Sequence, residues 1–158
     1  MPLNIWRSRI VVAANHPRRT KIIPGKKSII PHYNDLQRIS AAELKEHRIG
    51  LIRPDSDVKT IVEAITSSEF VISSSLHGLI LSDAYGIPNR KLQLGSGESI
   101  FKFEDYYNGT NRELPESGTD ILSSFKLGPV APLDWSSQPL IDSFPYRLWS
   151  QCKKPSSH

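Results

Sequence analysis

Apolar and polar residues alternate in blocks along residues 28–94, and the blocks switch between strand-like and helix-like spacing. Ser28-Ile29-Ile30-Pro31 is a short apolar run closed by proline, which predicts a strand stopping at the loop His32-Tyr33-Asn34-Asp35. Ser40-Ala41-Ala42-Glu43 has the form of a capping box, so a short helix is predicted from there to about Arg48, with Gly50 as its stop. Gly50-Leu51-Ile52-Arg53-Pro54 reads as the next strand. Asp55 or Ser56 then caps a helix in which Val58, Ile61, Val62 and Ile65 recur on one face, with Lys59 and Glu63 outside it.

The run Phe70-Val71-Ile72-Ser73-Ser74-Ser75-Leu76-His77-Gly78-Leu79-Ile80 predicts a buried strand at 70–74, a tight polar turn and a helix at about 78–85 that Gly86-Ile87-Pro88 ends. Arg90-Lys91-Leu92-Gln93-Leu94 resumes as a strand, Gly95-Ser96-Gly97-Glu98-Ser99 is a loop, and 101–107 is helical with aromatic residues on more than one face. Strands alternating with helices predict an α/β domain with a parallel sheet flanked by helices. Beyond Glu113 repeated prolines interrupt the helical period; Ile121, Leu122, Phe125 and Leu127 suit one more packed helix, and Trp135, Tyr146 and Trp149 suit anchors for an extended segment. Residues 1–27 read as a basic linker with one strand at 10–14, 28–150 as the domain, and 151–158 as a disordered tail.

Composition narrows the possibilities. The 158 residues suffice for one compact domain or for half of a two-domain enzyme. The net charge of +4 is concentrated near the two ends, a mild bias that suits anionic ligands and falls short of a nucleic-acid footprint. A single cysteine, Cys152, excludes an internal disulfide framework, and a reducing cytoplasm is the expected compartment. No apolar segment is long enough to span a bilayer.

The candidate chemistry gathers at His77, which lands where a strand becomes a helix. That is where open parallel sheets place ligands, and a histidine beside the free N–H groups of a helix N-terminus can face an anion while donating or accepting a proton. From the residues alone, a histidine that only helps to hold the turn fits equally well. Gly95-Ser96-Gly97 lacks the third glycine and following helix of a dinucleotide fingerprint, and Gly25-Lys26-Lys27-Ser28 leads into a strand, so neither reads as a phosphate loop. His16, His32, His47 and His77 lie too far apart to suggest a metal centre. Asp105-Tyr106-Tyr107, with Lys102 and Glu104, follows a loop leaving the sheet and reads either as a site element or as a packed amphipathic helix.

Taken together, Ile30-Pro31-His32-Tyr33-Asn34-Asp35, Val71-Ile72-Ser73-Ser74-Ser75-Leu76-His77-Gly78, Asp83-Ala84-Tyr85-Gly86-Ile87-Pro88 and Phe101-Lys102-Phe103-Glu104-Asp105-Tyr106-Tyr107 resemble the polysaccharide pyruvyl transferase family, over about residues 28–112. The resemblance implies a Rossmann-like domain similar to the C-terminal half of a GT-B-type transferase. It implies transfer of the enolpyruvyl group of phosphoenolpyruvate to a sugar of a cell-surface polysaccharide or exopolysaccharide, giving a pyruvate ketal, with no cofactor beyond that donor and no metal. It casts His77 as the catalytic proton donor, and Ser73, Ser74, Ser75, Gly78, His32, Arg53 and Lys102 as substrate-binding residues.

Ser75 stands where members of the family often carry an anion-binding arginine, and a hydroxyl cannot supply a bidentate cation. The missing charge is then expected from Arg53, Lys91, Lys102 or a second half of the cleft. Expected partners are phosphoenolpyruvate, a saccharide acceptor that is free or lipid-linked, and an N-terminal half or a second copy, with no nucleic acid and no membrane span. The expected location is the cytoplasm, including the inner membrane face. A nucleotide-sugar-dependent glycosyltransferase-like domain and a non-catalytic truncated homologue acting in binding or assembly are the alternatives.

Overall fold

In the computed structural model, which describes residues 21–95, 99–136 and 138–145, the apolar run before Pro31 forms strand β1, Lys27–Ile30. Ile29 and Ile30 point to opposite faces of this strand, and both are buried because both faces are covered. Strands β2 (Ile49–Leu51), β3 (Phe70–Ser73) and β4 (Asn89–Lys91) complete an all-parallel sheet in the order β2-β1-β3-β4.

Two apolar clusters follow from that alternation. Ile29 packs with Leu44, Ile49, Ile72, Leu92 and Ile121 on one face, beneath helices α1 (Ala41–Glu46) and α5 (Ile121–Lys126). Ile30 packs with Ile52, Ile65, Val71 and Ile87 on the other, beneath α2 (Val58–Thr66) and α3 (Leu76–Ala84). The chain passes from β1 to β2 through α1 on the first face, then returns across β1 to β3 through α2 on the second. Direction and face reverse together, so the crossovers keep one hand. Helix α4 (Ile100–Gly109) buries Phe103 and Tyr107, and α6 (Gln138–Asp142) follows later in the chain.

Several boundaries differ from the sequence expectation. The Ser40 hydroxyl caps α1 by accepting the Glu43 N–H at 3.3 Å, but the helix ends at Glu46, and the left-handed turn is made by Arg48 at φ 55°. Gly50 therefore does not stop the helix. It lies inside β2, where an added Cβ would sit 3.2 Å from the Ser28 hydroxyl. The cap of α2 is Asp57 rather than Asp55 or Ser56; its carboxylate accepts the Thr60 N–H at 3.0 Å, and the bonds from Thr60 hold its pKa below the usual carboxylate value. β4 begins at Asn89, so three polar residues form a buried strand. Its outer edge is closed by bonds from the Gly118 N–H to the Lys91 carbonyl and from the Val130 N–H to the Asn89 carbonyl. Trp135, expected as an anchor, is 38% exposed. The expected strand at 10–14, Tyr146, Trp149 and the tail lie outside the described residues.

Candidate active site at the carboxyl edge of the sheet

The strand order creates a switch point. From β1 the chain turns toward one side of the sheet and from β3 toward the other, so the two outgoing loops diverge and open a crevice at the carboxyl ends of the strands. Those loops are 31–32, leading into a 3-10 turn at Tyr33–Arg38, and 74–75, leading into α3. His32 and the Ser74–His77 turn thus flank one crevice although they are far apart in sequence.

The turn is fixed by hydrogen bonds rather than by a side-chain cap. The Ser73 hydroxyl, fully buried, lies 2.7 Å from the Ile30 carbonyl and 2.9 Å from the Ser75 carbonyl, and it accepts the Ser75 N–H at 3.0 Å. The Ser74 hydroxyl donates to Asp35 Oδ2 at 2.7 Å and accepts the His32 N–H at 2.8 Å, tying the two loops together. Ser75 is the N-cap residue of α3, yet its side chain makes no cap bond. The first N–H groups of α3 are therefore left to a ligand or to solvent.

Gly78 enables the close approach of α3 to the strands. A Cβ at this position would lie 2.4 Å from the Ser73 hydroxyl and 3.2 Å from the Ile30 Cβ.

The expected site residues separate into three groups. His77 is exposed on the first turn of α3 and takes no part in the bonds that fix the turn. His32 is half-buried, and its Nδ1 accepts the Asn34 N–H at 3.2 Å, which leaves Nε2 as the free ring nitrogen. Ser75 and the α3 N-terminus join these two at the crevice. Ser73 and Gly78 form a second group: they hold the turn from within, and neither presents a polar side chain to the crevice.

Arg53 and Lys102 are not brought to the crevice by any contact. Arg53, just beyond β2, forms a two-point pair with Asp55 through Nε at 3.0 Å and Nη2 at 2.8 Å. Lys102 is exposed near the start of α4. Lys91 is buried; its ammonium reaches the Ser117 hydroxyl at 3.2 Å and lies over the Phe103 ring at 4.7 Å.

Two residues that sequence reasoning did not select complete the edge. Asp35 is fully buried; its Oδ2 takes the Ser74 bond, and its Oδ1 has no hydrogen-bond partner among the described residues. Arg38, three residues on, places Nε 3.7 Å from Asp35 Oδ1 and donates from Nη1 to the Leu94 carbonyl at 2.9 Å. It therefore links the loop after β1 to the loop after β4. Their i,i+3 spacing was visible in the sequence, but the 3-10 turn that makes it meaningful was not.

A second polar cluster lies behind α3. Asp83 accepts from Asn89 Nδ2, the Tyr106 hydroxyl and Arg112 Nη2, each at 2.7 Å. Burial, then the Asp83 charge, pushes the pKa of both Tyr106 and Tyr107 above the usual phenol value, Tyr107 to about 12. Asp105-Tyr106-Tyr107 is thus a packed helix segment whose two tyrosines face the interior of the fold.

Fold and crevice together define an α/β domain in which an exposed histidine and a helix N-terminus stand at the switch point of a parallel sheet. Residues 7–91 match the family described as polysaccharide pyruvyl transferase, and the chain belongs to that family. The match begins within the stretch read as a linker and ends with β4. The chain is 27% identical over 82 residues to the succinoglycan biosynthesis protein ExoV of Rhizobium meliloti (strain 1021), across 51% of this chain and 26% of that protein. It thus spans about a quarter of the length of this curated relative. No solved structure matches.

Proposed function

We propose that this chain supplies one wall of a pyruvyl transferase active site that takes phosphoenolpyruvate as donor and a saccharide of an exopolysaccharide as acceptor. The observation that carries the reading is the convergence of His32, Ser75, His77 and the open N-terminus of α3 at the β1/β3 switch point, in a chain of this family. The reaction requires a proton delivered to the methylene carbon of the enol, addition of one sugar hydroxyl to the resulting cationic carbon, departure of phosphate to regenerate a cationic carbon, and addition of a second hydroxyl. Of the two hydroxyl protons, one restores the acid and one leaves with phosphate. His77 is the proton donor: it is exposed, uncommitted to the turn, and held at a fixed place by the helix.

The α3 N–H groups and the Ser75 hydroxyl receive the phosphate, and the helix dipole favours its charge. With serine in place of arginine at position 75, the cation nearest in the fold's logic is Arg38, which stands on the same sheet edge. A second half of the cleft, arranged as in GT-B transferases and provided by a preceding domain or by another copy, supplies the acceptor wall and further positive charge. Such an enzyme works in the cytoplasm, on a free or lipid-linked acceptor at the inner membrane face. Among the described residues, no helix is long and apolar enough to cross a membrane.

Isothermal titration of phosphoenolpyruvate and of a UDP-sugar against the chain tests this reading. Phosphoenolpyruvate is expected to bind and His77→Ala to weaken or abolish that binding. Binding of the UDP-sugar alone would overturn the reading in favour of a glycosyltransferase-like domain, and binding of neither would favour a non-catalytic assembly domain.

A further inference from the structure

The outer flank of β4 holds a cavity of about 440 Å³ lined by Arg90, Tyr107, Arg112, Glu113, Val130 and three neighbouring proline and alanine residues. None of its lining residues belongs to the loops after β1 or β3, so it is separate from the switch-point crevice. Three features of its wall are unusual together. Tyr107 is 1% exposed, and its hydroxyl has no hydrogen-bond partner among the described residues. Arg90 is buried, and its guanidinium is held by the carbonyls of Gly128, Glu116 and Leu127, with no carboxylate within ion-pair distance among the described residues.

Arg112, stacked 4.8 Å over the Tyr107 ring, spends Nη2 on Asp83, Nε on Thr110 and Nη1, at 3.5 Å, on the Ala131 carbonyl. Each guanidinium keeps N–H donors beyond those bonds.

A buried guanidinium held by carbonyls, whose nearby acid Glu116 is exposed and beyond ion-pair distance, and a buried hydroxyl without a partner are both costly, and one anionic oxygen reaching the cavity would serve both. We propose that this cavity is a binding site for a compact organic anion bearing a carboxylate or phosphate group. Arg90 and Arg112 supply the charge, and the Tyr107 hydroxyl supplies a directed hydrogen bond. A phenol is neutral and able to donate at physiological pH, and burial pushes that of Tyr107 further up, to about 12. Exposed Glu113 at the rim disfavours polyanions and so favours a ligand with a single charged head. The site does not depend on the phosphoenolpyruvate reading, since it shares no residue with that crevice.

The test uses the nitrogen-15-labelled chain carrying His77→Ala, so that the crevice lacks its histidine. Inorganic phosphate and acetate are titrated separately while the Arg90 Nε–H and Val130 N–H resonances are followed. At least one probe is expected to shift both signals saturably, phosphate pointing to a phosphorylated ligand and acetate to a carboxylate. Adding Tyr107→Phe is expected to weaken that binding about tenfold, the loss of one hydrogen bond to a charged acceptor. Without probe, the same change should leave the melting temperature unchanged or raised, because the hydroxyl has no bond to lose. Failure of both probes to saturate, equal affinity in Tyr107→Phe, or a lower melting temperature in that variant would each overturn the proposal.

Discussion

At the scale of single residues, the crevice separates side chains uncommitted to the turn from side chains that hold it. His77 touches solvent and supports nothing in the turn, so His77→Ala should melt with the unaltered chain. In the assembled transferase it should lower turnover by about 10²–10⁴-fold, the usual worth of a general acid, as read by phosphate release. Ser74 is the opposite case, because its hydroxyl joins Asp35 to the His32 N–H. Ser74→Ala would leave the buried Asp35 carboxylate without a hydrogen bond, and urea denaturation should show a loss of about 1–3 kcal/mol. Ser75→Ala should change stability little, since the Ser75 side chain makes no cap bond.

The sequence placed all three serines in one polar turn, and their different duties emerge only from what each meets. Ser73 is turned inward by the strand alternation, Ser74 meets the loop from β1, and Ser75 holds the N-cap position of α3 without a side-chain cap bond.

At the scale of elements, the junction of β3 and α3 depends on a small residue. Gly78→Ala would drive a methyl group into the Ser73 hydroxyl, which is itself fixed by two carbonyls. An overpacking cost of about 1–3 kcal/mol is expected in thermal or denaturant unfolding, with the α3 amide signals shifted most. The apolar alternation that identifies β1, α2 and β3 was legible because it is periodic and local. The polar β4 was not, for Asn89, Arg90 and Lys91 are buried only because Asp83, the 116–128 carbonyls and Ser117 satisfy them. Those partners come from segments up to 38 residues away, so the apolar Leu92 and Leu94 drew the expected strand too far along the chain. The end of α1 was misplaced for a similar reason, since Arg48 adopts the left-handed conformation that Gly50 was expected to provide.

At the scale of the whole molecule, the order β2-β1-β3-β4 explains why distant loops flank one crevice, and pH offers a probe of the packing behind it. Tyr106 and Tyr107 are both raised from the ordinary phenol value of 10.0, Tyr107 to about 12, by burial first and then by Asp83. Unfolded tyrosines ionise near 10, so between there and 12 the unfolded state binds fewer protons than the folded one. The stability contributed by these phenols is complete below pH 10 and falls as pH rises through that window. Phenolate absorbance should therefore show Tyr106 and Tyr107 ionising late, together with unfolding.

The parallel sheet and the position of His77 were legible in sequence because block alternation and the strand-to-helix junction are local signals. The Asp35–Arg38 link was not, because it depends on how the loop after β1 turns.

The central claim is that His32 and the 74–78 turn act as one ligand site at the β1/β3 switch point. Amide chemical-shift mapping of the labelled chain during titration with phosphoenolpyruvate tests it most directly. The largest saturable shifts are predicted at His32 and at Ser74 through Gly78. Saturable binding whose shifts fall elsewhere, with those amides unmoved, would contradict it.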